Sequence, residues 1–179
     1  MQTPSHVVVL ASTNRPQSLS CQVADYYVEL LSPYTCTAER ITLTSLPSDF
    51  VFSALYAQQG KNSLFNQLRT VMERAEKYVF IVPEYNGSFP GVLKAFIDGL
   101  YFPSTFKHKK CAMVGLSKGP QGGALALSHL TDIFNYLGMY VHPLKIRVSD
   151  VHDSQLTTVL SNPHYVRLLK EQAQSLANF

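Results

Sequence analysis

The sequence predicts a doubly wound α/β fold: a five-stranded parallel sheet of order 2-1-3-4-5 sandwiched between two layers of helices. Three observations carry this. Short β-branched and apolar runs alternate with helical apolar stripes along the chain, no internal repeat or low-complexity linker breaks the alternation, and 179 residues at 20.0 kDa is the size of one domain, residues 1–179. Strands that alternate with helices are joined by crossovers and lie parallel, and five of them in this order are the most economical arrangement at this length.

His6 to Ala11 is a continuous apolar run, as expected of a strand covered on both faces, and it ends in the polar cluster Ser12 to Gln17. Leu19, Val23, Tyr26, Tyr27 and Leu30 then recur at helical spacing, with Ser18 as N-cap and Pro33 as the stop. Thr35 to Leu43 alternates β-formers with polar residues, which suits a second strand nearer the sheet edge. Ser48 to Asn62 has weak periodicity and reads as a loop, a short helix or a partner contact. Leu64, Leu68, Val71, Met72 and Ala75 form the next helical stripe, and Tyr78 to Val82 the third strand.

Pro90 opens a helix with the face Val92, Leu93, Phe96, Ile97 and Leu100, which Pro103 is expected to end. Cys111 to Leu116 is a fourth strand, and Leu127, Leu130, Phe134 and Leu137 are the face of the following helix, with Gly138 at its C′ position. Tyr140 to Val148 is the expected fifth strand, and a last helix runs from Pro163 through Tyr165, Leu168, Leu169 and Leu176.

Composition excludes several classes of protein. With 46% hydrophobic residues, 15% charged and a mean hydropathy of +0.01, the chain can build a core and is not disordered. Its longest apolar runs are of strand length, so no membrane span is expected. Met1 to Ser5 carries no basic segment, which reads as neither a signal nor a transit peptide and points to the cytoplasm. Cys21, Cys36 and Cys111 lack CxxC spacing, and the six histidines show no HExxH or close pair, so neither a disulfide framework nor a metal site is expected. A net charge of +3 with only Lys107 to Lys110 clustered is too weak for nucleic-acid binding.

In the predicted strand order, the loops after strands 1, 3 and 4 converge on one crevice. The first, Ser12 to Ser20, carries four hydroxyls and Arg15 at a helix N-terminus, where free N–H groups and the helix dipole favour an anion. It holds no glycine and no Walker lysine, so a single terminal phosphate fits better than a triphosphate. The second, Pro83 to Gly91, mixes proline, an aromatic ring, an amide and glycines, a composition that presents backbone groups edge-on to a flat heterocycle. The third, Ser117 to Gly123, is glycine-rich and allows close backbone approach from the opposite side. Each has a plainer reading as well, as helix capping, a tight turn and an ordinary glycine loop.

With these motifs in view, the sequence resembles the NAD(P)H-dependent FMN reductases, flavodoxin-like proteins that include quinone, azo-dye and chromate reductases. The resemblance covers nearly the whole chain. Its most specific stretch is P-E-Y-N-G-S-F-P-G-V-L-K-A-F-I-D at Pro83 to Asp98, supported by T-N-R-P-Q-S at Thr13 to Ser18 and S-K-G-P-Q-G-G at Ser117 to Gly123. The resemblance implies that Thr13, Arg15, Ser18 and Ser20 bind the FMN phosphate. It places Pro83, Glu84, Tyr85, Asn86 and Gly87 around the isoalloxazine ring, and Ser117 and Gly119 at its other edge. Where relatives commonly have a glycine before the phosphate-binding hydroxyl, this chain has Ser12.

The implied activity is hydride transfer from NADPH or NADH to bound FMN, then to a small-molecule electron acceptor such as a quinone, free flavin or azo compound. The cofactor carries the chemistry and no side chain is needed as a catalyst. Glu84 is expected to orient its turn or pair with a neighbour, Lys94 and Asp98 to be structural or interfacial, and Lys118 to be solvated rather than bound to a 2′-phosphate. The aromatic residues Phe89, Phe96, Tyr101, Phe102 and Phe106 exceed one helix face; those not in the core are expected at the interface of a homodimer, or a dimer of dimers. The alternatives are a flavodoxin-type electron carrier, against which the positive net charge speaks, and a fold relative that binds no flavin.

Overall fold

Val7, Val8, Val9, Leu10 and Ala11 are all fully buried, as the unbroken apolar run requires of a central strand. The computed structural model describes residues 5–34, 36–153 and 155–179. Strand β1 (Ser5–Ala11) pairs in parallel with β2 (Cys36–Thr42) on one side and β3 (Lys77–Pro83) on the other. Beyond β3 lies β4 (Lys110–Leu116), and two short parallel pieces, β5 (Tyr140–Val141) and β6 (Ile146–Val148), share the position beside it. The order is 2-1-3-4-5, as expected. Thr35, the expected start of the second strand, and the side chain of Cys36 lie outside the described residues.

Alternation along the strands sends side chains to two cores. Val8, Leu10, Tyr78, Phe80 and Val82 face α2 (Phe50–Ser53), α3 (Ser63–Arg74), α4 (Gly91–Asp98) and α5 (Ala124–Tyr136). Val7, Val9, Ala11, Val79 and Ile81 face α1 (Leu19–Leu31), α6 (Leu156–Leu160) and α7 (Pro163–Asn178). Both predicted caps of α1 and α5 form. Ser18 Oγ accepts the Cys21 N–H, and Gly138, at φ 77, closes a Schellman turn in which the Met139 N–H reaches the Phe134 carbonyl at 2.9 Å.

Three expectations need correction, and one left open is resolved. The fifth strand is interrupted at residues 142–145, because Pro143 has no N–H for a ladder and the Leu144 N–H turns to His142 Nδ1 at 3.2 Å. Helix α4 stops at Asp98, well before Pro103: Gly99 caps it, Arg69 takes the Gly99 carbonyl through Nε at 3.2 Å and Nη2 at 2.9 Å, and a side chain on Gly99 would strike the Phe65 ring. The buried face of α3 is Phe65, Arg69 and Met72, while Leu64 is 53% exposed. Within the ambiguous stretch 48–62, the short α2 and a 3-10 turn at Tyr56–Gln58 form, with Phe50 stacked on Phe65.

The basic cluster serves the fold in part. The ammonium of Lys109 donates to the Glu73 carbonyl at 2.8 Å at the end of α3, and Lys110 reaches Phe179. Of the surplus aromatics, Phe96 and Phe106 are core and Phe89 is half-buried, whereas Tyr101 and Phe102 are exposed. Phe102 stacks on the equally exposed Tyr136. Lys94 and Asp98 form an exposed ion pair at 2.7 Å.

His142 gives the fold a pH dependence. Its ring is buried, with Nε2 at 2.8 Å from Ser175 Oγ and Nδ1 accepting the Leu144 N–H, an arrangement for the neutral form. Burial, aided by the charge of Lys145, pushes its pKa below the ordinary 6.5. A value lowered in the folded state means that the stabilisation is complete above the unfolded pKa and is lost as pH falls below it. The melting temperature is therefore expected to fall on acidification from about pH 6.5, and the slope to flatten in His142→Gln. An unchanged slope in that variant counts against the assignment.

Candidate functional site

The chain turns in opposite directions from β1 and β3, so a crevice opens where their carboxyl ends part, and the three unusual loops meet there. A cavity of about 470 Å³ occupies it. Arg15, Ser18 and Ser20 line one end, Pro83, Glu84 and Tyr85 one wall, and Ser117 and Lys118 the other, with Val151 between.

The first loop is shaped by short local bonds. Ser12 N–H still pairs with the Ile81 carbonyl at 3.0 Å, and the Thr13 N–H turns back to the Ala11 carbonyl at 2.9 Å. The side chain of Ser12 is buried against the Leu10 carbonyl, so the residue that replaces glycine fits without facing the cavity. Gln17, at φ 49, then turns the chain into the N-cap Ser18. Helical geometry leaves the first N–H groups of α1, those of Leu19 and Ser20, without intrahelical acceptors at this end. Among the described residues no carboxylate pairs with Arg15, which is exposed. Positive potential and free donors are thus concentrated at one end of the cavity.

The second loop is a two-residue hairpin turn. Tyr85 and Ser88 exchange N–H to carbonyl bonds of 2.8 and 3.1 Å, and Asn86 and Gly87 sit at φ 51 and 75, the left-handed pair that Asn-Gly adopts readily. Three contacts anchor it: the Glu84 N–H to the Leu116 carbonyl at 2.8 Å, the Tyr85 hydroxyl to Thr13 Oγ1 at 2.8 Å, and Ser88 Oγ to His129 Nδ1 at 2.9 Å. Of the Glu84 carboxylate, expected to orient its turn or pair with a neighbour, Oε2 is buried with no hydrogen-bond partner.

The third loop depends on glycine. A Cβ on Gly115 would run into the Gly122 carbonyl, and one on Gly122, at φ 57, would press on the backbone of Arg147. Ser117 is held through the Val148 carbonyl at 3.0 Å, and its Oγ accepts the Gly119 N–H at 3.0 Å.

Of the residues predicted for the site, Arg15, Ser18, Ser20, Pro83, Glu84, Tyr85 and Ser117 line the cavity. Thr13, Asn86, Gly87 and Gly119 stand behind it, Thr13 against Tyr85, Gly119 against Ser117, and the other two forming the turn. Pro16, Gln17, Leu19, Leu116 and Val151 line it without having been predicted, and Lys118, exposed to solvent as expected, lines it too. Gln17 has no sequence signal for its left-handed backbone, and Val151 arrives from the loop after β6. No three His, Cys, Asp or Glu side chains converge on a metal position among the described residues.

A crevice walled by Pro83, Glu84 and Tyr85, with the Arg15 guanidinium and helix N–H donors without acceptors at one end, fits FMN. Its phosphate is an anion for the helix end, and its ribityl and ring groups include donors. Proteins with this strand reversal and crevice are flavodoxin-like. The family is given by its sequence pattern: that of the NADPH-dependent FMN reductases matches residues 5–153, and the chain belongs to this family.

Relatives agree with that membership. The chain is 35% identical over 104 residues to a 2-hydroxy-1,4-benzoquinone reductase from Burkholderia sp, a match covering 51% of this chain and 57% of the relative. It is 42% identical over 73 residues to an FMN-dependent NADH:quinone oxidoreductase from Bacillus pumilus (strain SAFR-032), covering 40% and 35%. In both cases the match spans less than two thirds of the relative's length. Among solved structures, an NADH:FMN oxidoreductase in its apo form superposes with TM-score 0.80 at 16% identity, over 97% of this chain and 88% of that one. The flavoenzyme NAD(P)H:(acceptor) oxidoreductase FerB from Paracoccus denitrificans gives 0.75 at 21% identity, over 97% and 96%. These two superpositions establish the fold.

Proposed function

We propose that the protein is an NAD(P)H-dependent FMN oxidoreductase that takes hydride from NADPH or NADH and delivers it to a quinone, flavin, azo compound or similar small acceptor. The observation that carries this reading is the polarity of the crevice, with Arg15, Ser18 and Ser20 at the α1 terminus and Pro83, Glu84 and Tyr85, leading into the Asn86-Gly87 turn, along its wall. FMN, when bound, supplies the hydride-transfer chemistry.

The chain's own part is to bind and orient. Arg15, Ser18 and Ser20 hold the phosphate, with Thr13 behind them. The backbone of Pro83 to Gly87 borders the ring, and Ser117, fixed by Gly119, borders its other edge. Residues 1–179 act as one FMN-binding domain. No helix among the described residues is long and apolar enough to cross a membrane, and the free thiols Cys21 and Cys111 suit the reducing cytoplasm. The exposed rings Phe102 and Tyr136 support a homodimer in solution; sedimentation as a monomer would remove that part.

Protein purified with excess FMN and desalted is expected to keep a flavin absorption band, which anaerobic mixing with NADPH or NADH bleaches. Turnover with a panel of quinone, azo and flavin acceptors follows. A stable band that neither nicotinamide bleaches would instead mark an electron carrier.

A further inference from the structure

The Thr13 side chain is wholly buried, and its oxygen already has two neighbours, the Arg15 N–H at 3.2 Å and the Tyr85 hydroxyl at 2.8 Å. Tyr85, by contrast, lines the cavity and is 36% exposed. Its backbone is clamped by the exchange with Ser88, and its ring spans from the turn after β3 to the loop after β1. We infer that the Tyr85 hydroxyl is a donor to the phosphate of the bound mononucleotide, and that Thr13 is a positioning residue acting through it. This rests on the FMN reading above and moves Tyr85 from the ring to the phosphate.

A hydroxyl has one hydrogen and two lone pairs. Thr13 Oγ1 spends a lone pair on the Arg15 N–H, which leaves its hydrogen for Tyr85 Oη. The phenolic hydrogen is then free to point at an anion held between Arg15 and Ser18. The result is a chain, Arg15 N–H to Thr13 to Tyr85 to phosphate, in which each bond polarises the next and the dianion is its natural end. Run the other way, with Tyr85 donating to Thr13, the hydrogen left over would be that of Thr13, which is wholly buried and does not line the cavity, so it could not be offered to a ligand there. A ligand lacking the phosphate gains nothing from the chain, so the pair acts as a selector for phosphorylated flavin.

The test is equilibrium binding of FMN and riboflavin, followed by quenching of flavin fluorescence, in wild type, Tyr85→Phe, Thr13→Val, Thr13→Ser and the double variant Tyr85→Phe/Thr13→Val. Each change removes or keeps one hydroxyl with little change of shape, and melting curves check the fold. Tyr85→Phe is expected to weaken FMN about tenfold and riboflavin less than twofold. Thr13→Val should match it, the double variant should be no worse than either single one, and Thr13→Ser should restore binding. Equal losses for FMN and riboflavin in Tyr85→Phe would overturn the inference in favour of a ring contact, and a loss in Thr13→Val with Tyr85→Phe unchanged would return the phosphate to Thr13. Wild type with no preference for FMN over riboflavin would sink the FMN reading itself.

Discussion

Arg15→Ala is expected to weaken FMN binding about a hundredfold, or about 2.7 kcal/mol, and to leave the melting temperature unchanged. The guanidinium is exposed, has no carboxylate partner among the described residues and lies at the end of the cavity where the first turn of α1 opens. A cation without an internal partner contributes little to folding, whereas against a phosphate dianion it makes charge-assisted hydrogen bonds that nothing else in the loop replaces. Helix N–H groups and the Ser18 and Ser20 hydroxyls remain, so binding is weakened and not abolished. Because the site is open to solvent, the wild-type affinity should also drop with ionic strength more steeply than that of the variant. Fluorescence titration in low and high salt measures both effects. A loss of less than about threefold, well under one hydrogen bond to a charged group, would place the phosphate elsewhere.

The largest effect on stability is expected from Gln172→Leu, a loss of about 4 kcal/mol. Gln172 is completely buried where α7 crosses the split between β5 and β6. Its amide donates to the Met113 carbonyl at 3.1 Å and the Leu144 carbonyl at 2.6 Å, and its oxygen accepts the Tyr27 hydroxyl at 3.0 Å. Leucine fills much the same volume but strands a phenol and two carbonyls without water. Burial already raises the Tyr27 pKa well above the ordinary value, so that phenol has no ionised form to fall back on. Adding Tyr27→Phe should recover part of the loss, since removing both partners of a buried bond costs less than removing one. Urea unfolding of the three proteins gives the comparison. A loss below about 1 kcal/mol, the net worth of a single hydrogen bond, would show that the core rearranges to satisfy the stranded groups.

Much of this architecture was legible in the sequence because it is written in local patterns. The run Val7 to Ala11, the stop at Gly138 and the capping Ser18 each reflect a preference that acts within a few residues, and each is found in place. What misled was equally local. Pro103 looked like the end of α4, but Gly99 and Arg69 end it earlier because Phe65 leaves no room for a side chain at that point. Tyr140 to Val148 looked like one strand, yet Pro143 breaks it and the amide of Gln172, far along the chain, donates to the Leu144 carbonyl left without a ladder partner.

The candidate site divides along the same line. The residues by themselves determined the composition of the three loops, hence the expectation of a lone phosphate and a flat ring, because residue chemistry and helix polarity are properties of short segments. Only the tertiary structure decided which residues line the crevice: it buried Thr13, brought Lys118 and Val151 to the wall, and joined Tyr85 to a loop 72 residues earlier. Such placements depend on how neighbouring strands and helices pack, and packing couples positions whose separation in sequence carries no local signal.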